Sequence, residues 1–383
     1  MNSLSPKLRE LSAKFADLPP VKLNTFLQLV SCILAAGSCN LRRCAMELPG
    51  VVGDAGLGFD TAYARLKRVF QSGRGEALCK AVFFYLLELL PVGEDVLLII
   101  DRTDFKIRGT TWVNLLVLGM EWHGVFIPLV WKDLGRRGNS DQRQRTALLD
   151  RLLEWWRQSG RGLPVFCLTA DREFTGMDWL RDLERRGLRY VIRVKSCLRF
   201  EVWHDGAVRA RKCSGKVLAR YLRRHARGRV EVVLKGTVIT GLVRFEQEDP
   251  QEKEPYVLLL TNLADPAEAQ GVYRRRWPIE SCFGHQKKRG YDLEATHLEG
   301  AHKLDILFAA VTLAYALSIK EGVEKDHAQQ VKSRRFPRGK TYKRISLFAY
   351  GHRLLKATVH RLIELLDRLL LHTSGQSPPI ILE

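Results

Sequence analysis

In the stretch VLLIID, Val96–Asp101, five apolar residues follow one another without interruption and end at an aspartate. An apolar run of this length is typical of a strand that is buried on both faces of a sheet. Two further apolar runs lie in WVNLLVLGMEWHGVFIPLVWKDL, Trp112–Leu134, and they are separated by a turn around Gly124. We therefore predict three consecutive strands from Glu94 onward.

Helices and strands then alternate up to residue 195. SDQRQRTALLDRLLEWW predicts a helix capped by Ser140 or Asp141, and VFCLTA predicts a buried strand that ends at Asp171. The stretches DWLRDLERRG and RYVIRVK predict one more helix and one more strand. The resulting order, βββαβαβ, indicates a mixed α/β fold.

Changes in composition divide the chain into five segments. Helical periodicity predicts a helical N-terminal domain. We expect this domain to bind DNA, and its residues Arg65, Lys67 and Arg68 form either the DNA-binding face or an ordinary solvated one. Short β-type runs follow the α/β segment, and a second α/β segment and a basic, helical C-terminal region come after them. The boundaries of the five segments are 1–92, 93–195, 196–262, 263–320 and 321–383.

The charge balance indicates a polyanionic partner. The chain has 62 Lys and Arg against 42 Asp and Glu, a net charge of +20, which favours nucleic acid first and an anionic membrane surface second. The most apolar stretch, Leu304–Lys320, is shorter than the ~20 residues of a membrane span and contains Asp305, so we expect a core helix and no membrane. The first residues have no apolar signal core, so we expect a cytoplasmic protein.

Zinc and disulfide frameworks are not expected. The eight cysteines are scattered and include no CxxC pair, which argues against a zinc ribbon and against a disulfide-stabilised domain.

A lone acid, Glu280, stands in the basic stretch YRRRWPIESCFGHQKKRG, which begins at Tyr273. Tyr273, Arg276, Glu280 and Lys287 have helical spacing, so we predict that they share one face of a helix that Pro278 kinks or restarts. Taken alone, Glu280 is better explained as an acid near a helix start that pairs with Arg276.

Two further acids change this interpretation. Asp101 and Asp171 each end a predicted buried strand, although either residue alone is also a common turn former or helix cap. Strand ends are where open α/β sheets place their sites. Three carboxylates without His or Cys partners suit Mg²⁺ or Mn²⁺, so we predict that Asp101, Asp171 and Glu280 converge on such an ion.

Five stretches follow one another along the chain: IDRTDFK at Ile100, GNSDQRQRT at Gly138, LTADREF at Leu168, LLTNL at Leu259 and YRRRWPIESCFGHQKKRGYDLEATHL at Tyr273. Together they resemble the DDE transposases of the insertion-sequence-four group. The last stretch contains the signature of that group: Tyr, two residues, Arg, three residues, Glu, six residues and Lys.

The resemblance implies an RNase H-like catalytic core in segments 93–195 and 263–320, interrupted by a β-rich insertion at 196–262. It implies that the three acids bind two ions of Mg²⁺ or Mn²⁺ and that Tyr273, Arg276 and Lys287 contact the backbone of the transposon end. Asp104 and Glu173 lie close to the triad in sequence and are the first substitutes to consider for a triad member, but we expect their alanine variants to keep most of the activity.

The activity implied by the resemblance is cut-and-paste DNA transposition. Hydrolysis frees the 3′ end of the element, a hairpin intermediate forms on the opposite strand, and the 3′-hydroxyl is transferred into target DNA. Two alternatives are an RNase H-like nuclease without joining activity and an inactive protein that only binds element ends.

The implied partners are double-stranded DNA and a second copy of the chain. Transposition requires two aligned ends, so we expect a homodimer in the DNA complex of a bacterial or archaeal nucleoid. The basic runs Arg209–Arg229 and Lys332–Arg344 are predicted to contact the DNA backbone. The amphipathic stretch Leu347–His372 is either a dimer contact or a buried helix.

Overall fold

The structure is a computed structural model. It describes residues 18–71, 73–107, 109–204, 207–224, 228–234, 238–246, 255–329, 333–335, 341–343 and 345–358. The chain forms two compact units. The first contains the described residues within 1–92, 104–114 and 281–383, and the second contains those within 93–103 and 115–280.

Eleven helices lie in the described part of the chain. In chain order they are α1 (Pro20–Ala36), α2 (Leu41–Val52), α3 (Phe59–Lys67), α4 (Gly75–Leu89), α5 (Gln142–Gln158), α6 (Met177–Arg185), α7 (Gly215–Arg224), α8 (Pro266–Arg274), α9 (Pro278–Gln286), α10 (Ala301–Gln329) and α11 (Leu347–Thr358). Short 3₁₀ turns lie at Arg68–Gln71, Arg172–Phe174 and Leu293–Ala295.

Twelve strands lie in the same described ranges. In chain order they are β1 (Asp95–Ile107), β2 (Thr111–Trp122), β3 (Val125–Asp133), β4 (Val165–Ala170), β5 (Arg189–Val194), β6 (Arg199–His204), β7 (Ala207–Ser214), β8 (Arg229–Leu234), β9 (Val238–Glu246), β10 (Tyr256–Thr261), β11 (Ser333–Arg335) and β12 (Thr341–Lys343).

Local capping residues set several helix starts. Asp141 caps α5 in a capping box with Gln144, and this confirms one of the two predicted caps. Asp265 caps α8 by accepting hydrogen bonds from the amides of residues 267 and 268, and Pro266 occupies the first helical position.

Ten strands of the described chain form one sheet in the order β3-β2-β1-β4-β5-β10-β9-β8-β6-β7. The predicted order βββαβαβ is confirmed over β1 to β5. Strands β1, β4 and β5 are parallel neighbours, and β10 pairs antiparallel with β5. The strands between residues 199 and 261 therefore extend this same sheet.

The predicted end of the first strand is wrong. We expected the strand to end at Asp101, but β1 continues to Ile107. The parallel pairing with β4 stops at Ile100, whereas β1 also borders β2 on its other side. Because the hairpin partner supplies hydrogen bonds beyond Ile100, Asp101 lies within the strand at the point where one ladder ends.

Helix α10 is the core helix of the first unit. Its segment Ala301–His327 is long and apolar enough to cross a membrane by length and composition, and its most apolar window is entirely buried inside the protein. This burial confirms the prediction that the apolar stretch beginning at Leu304 is a core helix.

Three predicted segments are only partly described. Helix α11 covers Leu347–Thr358, while the remainder of the amphipathic stretch to His372 lies outside the described residues. Residues 225–227 of the first basic run are likewise outside the description. Of the second basic run, only residues 333–335 and 341–343 are described.

The close approach of α10 and α11 yields a stability prediction. A Cβ atom on Gly351 would overlap the carbonyl oxygen of Ser318 and lie 2.6 Å from the amide nitrogen of Gly322. Because main-chain atoms cannot move aside, we expect Gly351→Ala to lower the free energy of unfolding by about 2–3 kcal/mol in urea titrations. A Cβ on Gly271 in α8 meets nothing within 4 Å, so Gly271→Ala should stabilise by about 0.5–1 kcal/mol.

If Gly351→Ala unfolds at the same urea concentration as the unmodified chain, α10 and α11 are not in this contact.

Candidate active site

Two of the three predicted acids lie where the parallel ladder between β1 and β4 stops. The register pairs Ile100 of β1 with Ala170 of β4, and Asp101 and Asp171 are the residues that follow this last pair. Adjacent strands lie about 4.8 Å apart, so the ladder brings these two residues close together. This part of the predicted arrangement follows from sheet geometry alone.

The Asp101 carboxylate is held at both oxygens. Its Oδ1 accepts a hydrogen bond from the Arg102 amide at 2.8 Å, and Oδ2 lies 3.3 Å from Arg276 Nη1. Burial raises the pKa of the Asp101 carboxyl to about 6, although the Arg276 guanidinium and the Arg102 amide lower it. The neighbouring acids Asp171 and Glu173 add to the rise. A cation bound beside Asp101 would favour its ionised form.

One carboxylate oxygen of Asp171 lacks a hydrogen-bond partner among the described residues. This oxygen is Oδ1, and it is buried. Asp171 precedes the 3₁₀ turn Arg172–Phe174, yet its side chain makes no capping bond to that turn. A buried carboxylate oxygen without a partner is costly, so it marks a position that a bound cation would satisfy.

Glu280 lies in the first turn of α9 and pairs with Arg276. Arg276 Nη2 is 3.0 Å from Glu280 Oε1, and the same guanidinium contacts Asp101. The Arg276 side chain is 8% exposed, whereas the side chains of Asp101 and Glu280 are 22% and 44% exposed. One nearly buried cation therefore joins two of the three predicted acids.

The structure confirms that Pro278 restarts the helix, one of the two predicted effects of this residue, so the four residues do not lie on one continuous helix. Helix α8 ends at Arg274, a turn covers residues 275–277, and α9 begins at Pro278. Proline has no amide hydrogen to continue a helix but suits a first helical position, so the chain starts a second helix there. Arg276 therefore contacts Glu280 from the turn, not from the same helix.

Tyr273 packs beneath Arg276. Its side chain is buried, and the Arg276 guanidinium carbon lies 5.6 Å from the centre of its ring. The Phe245 ring is 6.2 Å away on β9. Burial raises the pKa of the Tyr273 phenol. In this structure Tyr273 supports the guanidinium through a cation–π contact.

Lys287 follows the last residue of α9 and belongs to the first unit. Its Nζ donates to the main-chain oxygen of Asp104 at 3.1 Å. Burial lowers the pKa of the Lys287 ammonium, while Asp104 and Glu294 act to raise it.

The donor set fits a hard divalent cation in its chemistry. The candidate ligands are carboxylate oxygens, Asp171 has an unsatisfied one, and Asp101 is buried beside it. Within the described ranges, no group of three or more His, Cys, Asp or Glu side chains lies close enough together to hold a metal ion. The structure thus joins Asp101 and Glu280 through Arg276 and places Asp171 at the adjacent strand end.

Sequence analysis missed a second group of polar residues beside the triad. The Arg102 guanidinium nitrogen Nε is 2.7 Å from Glu173 Oε2, and the Ser140 hydroxyl is 3.0 Å from Glu173 Oε1. Arg145, nearly fully buried, donates to the main-chain oxygen of Ser140 at 2.7 Å. These residues stand in three of the quoted stretches, but no local spacing predicts that they meet.

A cavity of about 400 Å³ lies next to this group. Its lining includes Asn139, Arg172 and Lys195, which supply an amide and two cationic side chains. Such groups suit phosphate oxygens, so the cavity is compatible with a nucleic-acid backbone close to Asp171.

Loss of Arg276 should destabilise the protein. Arg276→Ala leaves two carboxylates without their common cation, and removing one partner of a buried ion pair is costly. Because Glu280 is partly solvated, we expect a loss of about 2 kcal/mol in urea unfolding. The control Arg157→Ala removes a pair with Glu154 in which both side chains are more than half exposed, and it should cost at most about 0.5 kcal/mol. Equal losses in the two variants would show that the Arg276 pairs are no stronger than surface contacts.

Comparison with known proteins identifies the family. The family described as the transposase DDE domain matches residues 93–317, which is more than half of the chain. A comparison with the curated proteins gave no match. The matched range contains the ten-stranded sheet, which is compatible with an RNase H-like DDE transposase fold, and all six predicted site residues. The chain therefore belongs to the family of transposases with a DDE domain, enzymes that process DNA.

Proposed function

We propose that the chain is an insertion-sequence transposase of the insertion-sequence-four group, which cuts at transposon ends and joins them to target DNA. The observation that carries the proposal is the pair of acids that follow the last residue pair of the β1–β4 ladder. The buried Asp171 Oδ1 has no hydrogen-bond partner among the described residues, and Asp101 shares Arg276 with Glu280. The Tyr, Arg, Glu and Lys spacing from residue 273 to residue 287 supports the group assignment.

Asp101, Asp171 and Glu280 are the proposed metal ligands. When bound there, Mg²⁺ or Mn²⁺, as one or two ions, would activate the attacking oxygen and stabilise the leaving one. Arg276 limits the repulsion among the carboxylates, since it contacts two of them directly. Tyr273 stabilises Arg276 through a cation–π contact between its ring and the guanidinium.

The proposed reaction has two steps that use the same site. In the first, water adds to the phosphorus at the transposon end, the bond to the 3′ oxygen breaks, and that oxygen takes up a proton. In the second, the freed 3′-hydroxyl attacks a target phosphorus and loses its proton, and the target 3′ oxygen leaves. The second step exchanges one phosphodiester for another, so it needs no ATP.

Cationic surfaces are proposed to hold the DNA backbone. Helix α7, within the predicted insertion, exposes Lys216, Arg220, Arg223 and Arg224, and Lys287 follows α9. We propose that a homodimer aligns two ends on such surfaces.

Substitution of the triad tests the proposal. We expect Asp101→Asn, Asp171→Asn and Glu280→Gln each to slow Mg²⁺-dependent cleavage of an end duplex by roughly a thousandfold or more, because metal stabilisation is worth several kcal/mol and about 1.4 kcal/mol is tenfold. End binding, measured by mobility shift, should stay within about threefold. The control Glu154→Gln changes an exposed acid on α5 and should cleave normally.

Cleavage within tenfold of the unmodified rate in any one variant would remove that residue from the triad. A pre-cleaved end and a target plasmid in the same assay separate the alternatives: cutting without joining indicates a nuclease, and binding alone indicates an inactive end-binding protein.

Lys287 yields a second test. Each neutralised phosphate contributes about 0.9 to the slope of log affinity against log salt, so Lys287→Ala should reduce that slope for end DNA by about one. The matched control is Lys303→Ala, an exposed lysine of the same unit on α10. An unchanged slope for Lys287→Ala would show that this lysine binds no phosphate.

A further inference from the structure

The cavity beside the candidate site is lined by residues that follow two neighbouring parallel strands. Strands β4 and β5 pair in parallel, with Ala170 opposite Ile192. Arg172 stands two residues after the end of β4 and Lys195 directly after the end of β5, and both line the cavity. Because the carboxyl ends of parallel strands meet at one edge of a sheet, these two cationic residues lie at the edge where Asp171 follows β4.

The acid among the lining residues has its charge paired inside the protein. Glu173 lines the cavity, but Arg102 Nε lies 2.8 and 2.7 Å from its two carboxylate oxygens. The amide and the hydroxyl of Ser140 donate to Glu173 Oε1 at 3.1 and 3.0 Å, and the Glu173 side chain is only 14% exposed. The remaining lining residues are uncharged, so Arg172 and Lys195 give the cavity a positive net charge.

Asn139 adds a hydrogen-bond donor to the lining. Its Oδ1 accepts from Arg102 Nη2 at 3.3 Å, so its amide nitrogen is the part of the side chain that can donate to a ligand. Lysine, arginine and asparagine side chains are among the groups that contact DNA phosphate oxygens. The lining therefore has the chemistry of a phosphate site.

The turn that carries Lys195 is fixed by main-chain hydrogen bonds. The Leu198 amide donates to the Lys195 carbonyl oxygen at 3.1 Å. The amides of Gly215 and Lys216, at the start of α7, donate to the carbonyl oxygens of Leu198 and Ser196, each at 2.8 Å. A side chain on a fixed turn loses less conformational freedom when it binds a ligand, so the site is preorganised.

We propose that this cavity binds one phosphodiester of the DNA strand that reacts at the proposed metal ligands. Arg172 and Lys195 are its phosphate-binding residues, and Asn139 donates a hydrogen bond. This inference rests on the proposed function and adds a subsite to the three DNA-binding residues that the group signature implies. The cavity volume of about 400 Å³ leaves room for a nucleotide unit, since sites for small organic ligands measure about 300–1,000 Å³.

Sheet geometry sets where along the strand this phosphodiester lies. Neighbouring strands are about 4.8 Å apart, and successive nucleotides of one DNA strand rise by about 3.4 Å. A DNA strand that runs from Asp171 toward Lys195 therefore reaches the cavity about one to three nucleotides from the reacting phosphate.

Cys197 allows the bound position to be mapped in the full chain. It is exposed and lines the cavity, and Cys213→Ser removes the other cysteine that is not buried. End duplexes carry a disulfide-forming thiol tether on one phosphate at a time. We expect cross-linking to Cys197 from phosphates within about three nucleotides of the reacting one, and loss of the cross-link when Cys197→Ser is added.

The same experiment distinguishes the two sources of the phosphodiester. Cross-links from phosphates inside the element assign the cavity to the transposon end, and they persist with a pre-cleaved end. Cross-links from phosphates outside the element assign the cavity to flanking DNA, and a pre-cleaved end loses them. Either pattern supports the subsite.

A second readout follows DNA binding and turnover in Lys195→Gln. Loss of one phosphate contact should reduce the slope of log affinity against log salt by about one. It should also raise the end-duplex concentration for half-maximal cleavage about fivefold or more, with a smaller change in the maximal rate. The control Lys132→Gln changes an exposed lysine on β3, which three strands separate from β5, and should leave both quantities unaltered.

The proposal is overturned if Cys197 cross-links to phosphates near the reacting one no more readily than to distant ones. It is also overturned if Lys195→Gln has the salt slope and the half-maximal concentration of the unmodified chain. Failure of the proposed function looks different, because Asp171→Asn would then retain cleavage. Loss of cleavage in Asp171→Asn without a position-specific cross-link removes only the subsite.

Discussion

The site depends on one guanidinium shared by two carboxylates. Arg276 contacts Asp101 on β1 and Glu280 on α9, and its own side chain is almost fully withdrawn from water. Acids in such proximity repel one another when both are ionised, and burial already disfavours the charged form of Asp101. The shared cation offsets part of this cost, so the acids remain together in the metal-free protein. A divalent ion would then compete with Arg276 for oxygens that are already oriented.

Local features of the fold were predictable because they depend on residues a few positions apart. The cap at Asp141, the cap at Asp265 with Pro266 after it, and the order of the seven elements from β1 to β5 all follow from short patterns. The convergence of Asp101 and Asp171 was predicted because each follows an apolar run typical of a buried strand, and open α/β sheets place their sites at strand ends. The metal-binding roles of these acids remain predictions.

Features set by distant partners were not predictable. Strand β1 continues past Asp101 because β2 is its neighbour on the other side. The residues VLLIID alone do not indicate that β2 pairs with this strand. The sequence left open whether Pro278 kinks or restarts the helix, and the folded chain shows a restart. The contacts of Arg276 with Asp101 and of Arg102 with Glu173 span 175 and 71 residues, so only the folded chain brings those partners together.

The parallel ladder between β1 and β4 also governs how the sequence of this protein can change in length. Side chains alternate faces along a strand, so adding or deleting a single residue within β4 would break the register that places Asp171 next to Asp101. The connection before β4, residues 159–164, is not bound by that alternation, because the ladder restarts where the Val165 amide bonds to the Glu94 carbonyl oxygen. Insertions are therefore tolerable in the connection and excluded from the six residues of the strand.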